Sequence, residues 1–359
     1  MPQTRRRPEL SRLNVLFCLL VVFIHTASHP VSVLDKLSWQ YALVLIPQRL
    51  AFVAVPGFFL LSGVKLTLPR TRPQPLAAYW KGRARNILLP YLLAAAIYYL
   101  TFIKLGWLPF SLGDFARYLV TGSLSAPFYF LIALFQFILL APLFQWLARR
   151  WSPVLLLPFA LGLTWISSMN LNAVLQLFVP SAAFPYADRV FTSYLFYYLA
   201  GCCIGVRYQD FLDLLADNRG LITALFAFFA CADGGISLLA FSGRRGAPYL
   251  ELVHTLYIIS AILFLYTLAA RTASPLPRWA AAIDRASFLV YLYHCLVITL
   301  FNDFAARFGM GRVSVLFVLR VLMVYSVTIG GAVLWQTLYA KLTRKRSPSP
   351  PQNRKEKFR

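Results

Sequence analysis

The chain has 359 residues, of which 59% are hydrophobic and 13% charged, with a mean hydropathy of +0.65. Soluble domains are nearer half apolar and a quarter charged, so a soluble globular protein is excluded. The net charge of +23 would suggest nucleic acid if it were gathered on one face, but the cations sit in short clusters between apolar runs, as in membrane proteins.

The predicted architecture is all-α and polytopic, with about ten transmembrane helices and no soluble domain. The spans fall at about 13–33, 41–64, 86–105, 127–148, 152–169, 189–206, 220–240, 249–269, 285–301 and 314–339. Of the 35 Lys and Arg residues, 25 lie in the loops and tail of one side and nine on the other, which places both termini in the cytoplasm. Residues 1–345 form the membrane domain. The segment 346–359, rich in Pro, Ser and charge, reads as a disordered basic tail suited to anionic lipid. The five cysteines all fall in apolar runs without disulfide or metal-ligand spacing, and are expected to be buried thiols.

The first span, LSRLNVLFCLLVVFIHTASHP, carries His25 well inside and His29 one turn later. A helix starting near Leu13 puts His25 about 18 Å into a hydrocarbon core about 30 Å thick. Asn14, Cys18, Val21 and His25 share one helix face. An ionisable ring at that depth is a functional-site candidate. The bland alternative is a neutral histidine bonded to a neighbouring helix. The second span is interrupted by Pro47 and by Pro56-Gly57, and holds Arg49 in its outer half, where the guanidinium either finds a partner or snorkels to the headgroups. The loop 69–85, PRTRPQPLAAYWKGRAR, is basic and aromatic, which topology alone would explain. Gln136 is mid-membrane and needs a partner. Further along, Asp233, Glu251, His254 and Arg320 fall in the outer halves of their spans. With His25, His29 and Arg49 they suggest a water-filled cavity open to the outside. In the ninth span Ser287, Tyr291 and His294 share a face, with His294 about 13 Å from the inner surface.

Four stretches, in this order, carry a resemblance: VVFIHT ending the first span, PGFFLLSG from Pro56 to Gly63, YWKGRARNILLPY, and SFLVYLYH from Ser287 to His294. Together they resemble the acyltransferase-3 family of bacterial membrane proteins, which O-acylate cell-surface polysaccharides. The family often has an acid–arginine pair ahead of the histidine. Here those positions are Ser11 and Asn14, and Arg12 points elsewhere on the helix.

The resemblance implies transfer of an acyl group, acetyl foremost, from cytoplasmic acyl-CoA to a saccharide hydroxyl. The site would be a bacterial inner membrane, with no bound cofactor, no metal and no nucleic acid. His25 would be the general base. Lys81, Arg83 and Arg85 would bind the donor's phosphates at the cytoplasmic surface. His29, Arg49, Glu251, His254, Tyr291, His294 and Arg320 would hold the acceptor or support the base, with Glu251 and His254 as a pair. His294 would sit nearer the inner side and serve packing or donor placement. A transporter or flippase of a lipid-linked saccharide stays open, because buried His, Arg and Glu suit proton-coupled transport equally.

Overall fold

The computed structural model describes residues 7–69, 75–243, 246–247, 249–272 and 274–344. The expected tail 346–359, Arg5, Arg6, Arg70, Arg72, Arg244 and Arg245 lie outside the described residues. The described chain is helical throughout, with no strand. Sixteen α-helices follow one another: α1 Pro8–Val33, α2 Trp39–Ala51, α3 Ala54–Thr67, α4 Leu76–Arg83, α5 Leu89–Lys104, α6 Leu112–Thr121, α7 Phe128–Leu139, α8 Ala141–Arg150, α9 Pro153–Met169, α10 Leu171–Phe178, α11 Leu195–Val206, α12 Tyr208–Asp217, α13 Arg219–Phe241, α14 Leu250–Ala270, α15 Arg278–Arg307 and α16 Val313–Arg344. A π-helical stretch, Ala84–Leu88, joins α4 to α5.

Among the described residues, seven helical stretches are long and apolar enough to cross a membrane, or nine if two bent pairs each count as one span. The bends are 66° between α7 and α8 and 80° between α9 and α10. Every expected apolar run has a helical counterpart, but the number ten is not established. The stretch expected at 189–206 is a turn of 3-10 helix followed by α11, whose 12 residues rise only about 18 Å. The second span crosses as α2 and α3 with the break at Phe52 and Val53. Pro56 explains its place: it has no N–H to give the carbonyl four residues back, that of Phe52. Pro47 is accommodated inside α2.

Packing follows from small residues. The tightest pair is α3 with α11. A Cβ added at Gly63 would collide with the Tyr198 carbonyl, and one at Gly201 with the Leu60 carbonyl. Only glycine lets these backbones approach so closely, the membrane counterpart of knobs meeting holes. The Thr67 hydroxyl crosses the same seam to the Cys202 carbonyl at 2.8 Å. Aromatic rings fill the space beside it, with Phe137 stacked on Tyr198 at 4.0 Å between centroids. Outward faces are apolar and exposed, as at Phe159, Phe228 and Leu322. A bilayer requires such a belt. Cys18, Cys202 and Cys203 are buried as expected, but Cys231 is exposed on α13.

Helix directions follow from cross-helix bonds. Asn14 of α1 bonds Asp284 of α15, and further along His25 meets His294, so α1 and α15 run parallel. Tyr325 of α16 bonds the Leu19 carbonyl, and Gln48 of α2 bonds the Ile24 carbonyl at 2.9 Å. The start of α1 and the end of α3 share the end of the bundle called here the terminal end; the end of α1 and the start of α16 mark the far end. Arg12 reaches the last turn of α14, donating to the carbonyls of Ala269 at 2.9 Å and Thr272 at 2.5 Å and to that of Ser274. There it satisfies helix-end acceptors and complements the negative end of the helix dipole.

Candidate active site

The centre of the molecule holds two histidines. His25 on α1 lies against His294 on α15, ring centroids 5.1 Å apart. The sequence reading separated them and placed His294 nearer the inner side. The structure brings them together because α1 and α15 run parallel and in register. The Nδ1 of His294 faces two carbonyls of its own helix, Tyr291 at 2.8 Å and Val290 at 3.1 Å. Carbonyl oxygens only accept, so Nδ1 carries the proton and Nε2 carries the lone pair. That Nε2 is buried without a hydrogen-bond partner. No hydrogen bond among the described residues engages the His25 ring. Tyr291, one turn before, donates to the Pro127 carbonyl and tethers α15 to the start of α7. Its ring lies 6.2 Å from that of His294.

At the terminal end α1 faces a carboxylate of α15. Asp284 of α15 accepts from Ser11 Oγ at 2.8 Å and from Asn14 Nδ2 at 2.8 Å. Asn14 also reaches Ser287 Oγ at 2.9 Å. At these two positions α1 supplies neutral donors, and the carboxylate comes from the neighbouring helix α15. Lys65, at the end of α3, interacts electrostatically with both Asp284 and Arg83. The three expected donor cations do not lie on one face. Lys81 and Arg85 are exposed on one side of the helix, whereas Arg83, half-buried, turns the other way, with its guanidinium 5.1 Å above the Tyr79 ring. Residues two apart point to nearly opposite faces of a helix, so this split follows from the spacing itself. The π-helical turn at Ala84–Leu88 lies immediately after, and such turns cluster at functional sites.

At the far end the expected charged residues divide into two groups. Arg49 bridges two acids, with Nη2 3.3 Å from Glu251 and Nε 3.6 Å from Asp233. His254 Nδ1 lies 3.0 Å from the other Asp233 oxygen. The expected Glu251–His254 pair is therefore not a pair: one turn of helix puts them near each other, but they engage different partners. Asp233 is wholly buried, and its charge is tolerable because a cation and an imidazole meet it from two helices. Arg320 stands apart. It is 2% exposed, and its Nε donates to Asn302 Oδ1 at 3.0 Å. His29 is its electrostatic neighbour. Gln136 finds its partner in the segment before α11, donating to the Arg189 carbonyl at 2.7 Å and accepting from the Phe191 N–H.

An acyltransferase domain family, acyltransferase 3, matches residues 9–335. The chain belongs to the acyltransferase-3 family. It is also similar to YfiQ of Bacillus subtilis (strain 168), a protein provisionally named a membrane-bound acyltransferase, at 24% identity over 293 residues, covering 80% of this chain and 79% of the relative. No solved structure matches it. The protein is thus a multi-pass membrane acyltransferase.

Two residues of this acyltransferase escaped the sequence reading. Asp284 sits three residues before the SFLVYLYH match in a basic helix start, so nothing local marked it. Lys65, two residues past the PGFFLLSG match, read as one more topological cation. The single group of possible metal donors among the described residues is His25, His294 and Cys295, whose ligand atoms lie within 4.8 Å of one another. Two imidazoles and a thiol suit zinc or copper. A metal there would occupy the same lone pairs a base needs. An apolar crevice lined by Leu60, Leu157, Phe196, Ile204 and Ile259 shares no residue with the histidine site.

Proposed function

We propose that this acyltransferase moves an acyl group, acetyl being the simplest, from acyl-CoA at the terminal end to a hydroxyl of a cell-surface or lipid-linked saccharide. The terminal end faces the cytoplasm, and the membrane is the bacterial inner membrane. The observation that carries the reading is the free Nε2 of His294 beside the unbonded ring of His25, midway along two parallel helices. A sugar hydroxyl is a poor nucleophile until a base takes its proton. His25 takes that proton as the hydroxyl oxygen attacks the thioester carbonyl. The C–S bond then breaks, and the proton passes to the departing thiolate. His294, with its tautomer set by its own helix, offers a second acceptor that steadies the charged His25 ring. Arg83 and Lys65 hold the donor's phosphates at the terminal end, and Asp284 orients Lys65 through charge attraction. Basic side chains flanking a carboxylate support this assignment.

The test is the composition of surface polymer with and without the intact gene. Loss of ester-linked acyl groups with normal polymer export supports the reading. Loss of surface polymer, with unacylated polymer trapped inside, refutes it and favours transport.

A further inference from the structure

We infer that Arg320, His29 and Asn302 form a binding site for an oxyanion, carboxylate or phosphate, carried by the acceptor saccharide. The inference rests on the reading of His25 as the point of acyl transfer. Its starting point is a charge without a counter-ion. Arg320 is almost completely buried, yet no carboxylate among the described residues pairs with it. Three acids of the far end are committed elsewhere: Asp233 and Glu251 face Arg49, and Asp303, next to Asn302 in the chain, accepts from Arg307 at 2.8 Å, while Asp35 is exposed in the loop after α1 and accepts from the Leu37 N–H. Among the described residues the one polar contact of Arg320 is neutral, through Nε to Asn302, and its Nη1 is buried with no partner. A phenyl ring, Phe301, lies 5.5 Å from the guanidinium carbon and excludes water from that side.

A buried cation left in this state is costly, because burial removes hydration and nothing charged replaces it. Water could satisfy Nη1 but not the charge. The guanidinium fork matches the two oxygens of a carboxylate or phosphate. A second unpartnered ring nitrogen is available: His29, the electrostatic neighbour of Arg320, has a buried Nδ1 that no group among the described residues bonds. The two orphaned nitrogens come from α1 and α16, which pack against each other. His29 is one helical turn beyond His25, about 6 Å further along the axis. An acceptor anchored there by its acid group would present a hydroxyl of the same or the next sugar to His25. The ligand class follows: uronate-like or phosphate-bearing saccharides, not neutral ones.

The experiment uses the full chain in a neutral maltoside detergent and reads binding directly. Methyl glucuronide and glucose 1-phosphate are titrated beside methyl glucoside, followed by intrinsic tryptophan fluorescence or calorimetry. The expected result is at least tenfold tighter binding of the two anionic sugars, a preference lost in Arg320→Gln and partly kept in Arg320→Lys. His29→Gln should reduce the preference, which keeps the test usable if Arg320→Gln does not fold. Equal binding of glucuronide and glucoside by the unaltered protein overturns the inference, as does a preference that survives Arg320→Gln. Phosphatidylglycerol is the other source of the same chemistry. If it displaces the glucuronide, the site belongs to lipid headgroups and the inference falls. His25→Gln separates this from the proposed function: it should lose transfer and keep the anion preference. Transfer that survives His25→Gln refutes the base assignment alone.

Discussion

The two histidines make a prediction that separates a working pair from two independent struts. His25→Gln, His294→Gln and the double variant form one cycle. Glutamine keeps a hydrogen-bonding amide but cannot take a proton. In His294→Gln two contacts change: the bonds to the Tyr291 and Val290 carbonyls, at 2.8 and 3.1 Å, and the free lone pair at Nε2. The first can be remade by the amide N–H₂ at a net cost of about 1 kcal/mol or less. The second cannot be remade. Loss of a general base lowers turnover by roughly 10²–10⁴-fold. Two histidines acting independently would then lose the product of their single effects, on the order of 10⁴–10⁸. Acting as one unit, as their 5.1 Å separation suggests, they give a double variant no slower than the worse single, because residues working together are strongly non-additive. The assay is ester-linked acyl incorporated into polymer by membranes containing equal amounts of each variant. His294→Gln retaining more than a tenth of the activity while His25→Gln has none would refute the pairing. Near-normal activity in both singles would remove the base mechanism altogether.

Two further expectations concern the scaffold and the donor end. Gly201→Ala should destabilise the protein by about 1–3 kcal/mol through overpacking, since its methyl would meet the Leu60 backbone. Gly235→Ala, with nothing within 4 Å of the added carbon, should be neutral or gain up to about 1 kcal/mol of helix propensity. Thermal unfolding in detergent reads both, and equal behaviour would refute the close α3–α11 approach. Arg83→Ala should raise the KM for acyl-CoA by the roughly 1.5–3 kcal/mol of a charge-assisted contact. Arg85→Ala, on the outward face, should change it little. Equal effects of the two variants would show that the helix face does not select the donor cation.

What the sequence could reveal depended on whether the signal was local. The membrane helices were legible because each apolar run reports its own solvent, and the break near Pro56 follows from one missing N–H. The number of spans was not legible in the same way. The short α11 and the bends after Leu139 and Met169 depend on what packs around them, and hydropathy carries no record of a bend. Within the site, His25 stood out by depth, because an ionisable group in an apolar run is anomalous on its own. His294 stood out equally, yet its relation to His25 depends on the relative direction and register of α1 and α15, 269 residues apart in sequence. The same holds for Arg49, where the helix gave Glu251 and His254 as neighbours, and the fold gave Arg49 as the partner of Glu251 and Asp233 as the residue that joins Arg49 to His254. Asp284 was missed because its importance lies wholly in partners on another helix. Helical spacing predicted faces correctly; it had no means to predict which faces meet.

The order of polar groups along α1 gives these contacts a direction. Ser11 and Asn14 meet Asp284 at the terminal end, Cys18 reaches the Ser287 carbonyl at 3.7 Å, His25 meets His294, and His29 is the neighbour of Arg320. From Asn14 to His29 the helix rises about 22 Å, most of a hydrocarbon core about 30 Å thick. All the partners but Arg320 come from α15, which runs parallel to α1 and so keeps pace with it along the whole distance. A polar seam of this length between two helices is costly in lipid unless it is used. The proposed transfer would use such a seam: a donor too charged to leave one surface, an acceptor held at the other, and a base where they meet. The terminal end carries a carboxylate with a lysine as its electrostatic neighbour, and the far end carries, beside the Arg49 cluster with its two acids, a buried arginine for which no carboxylate among the described residues is a partner. That difference is the opposite of what two equivalent transport gates would need, since each would have to accept the same substrate. It is the difference expected of an enzyme whose two substrates arrive from opposite sides.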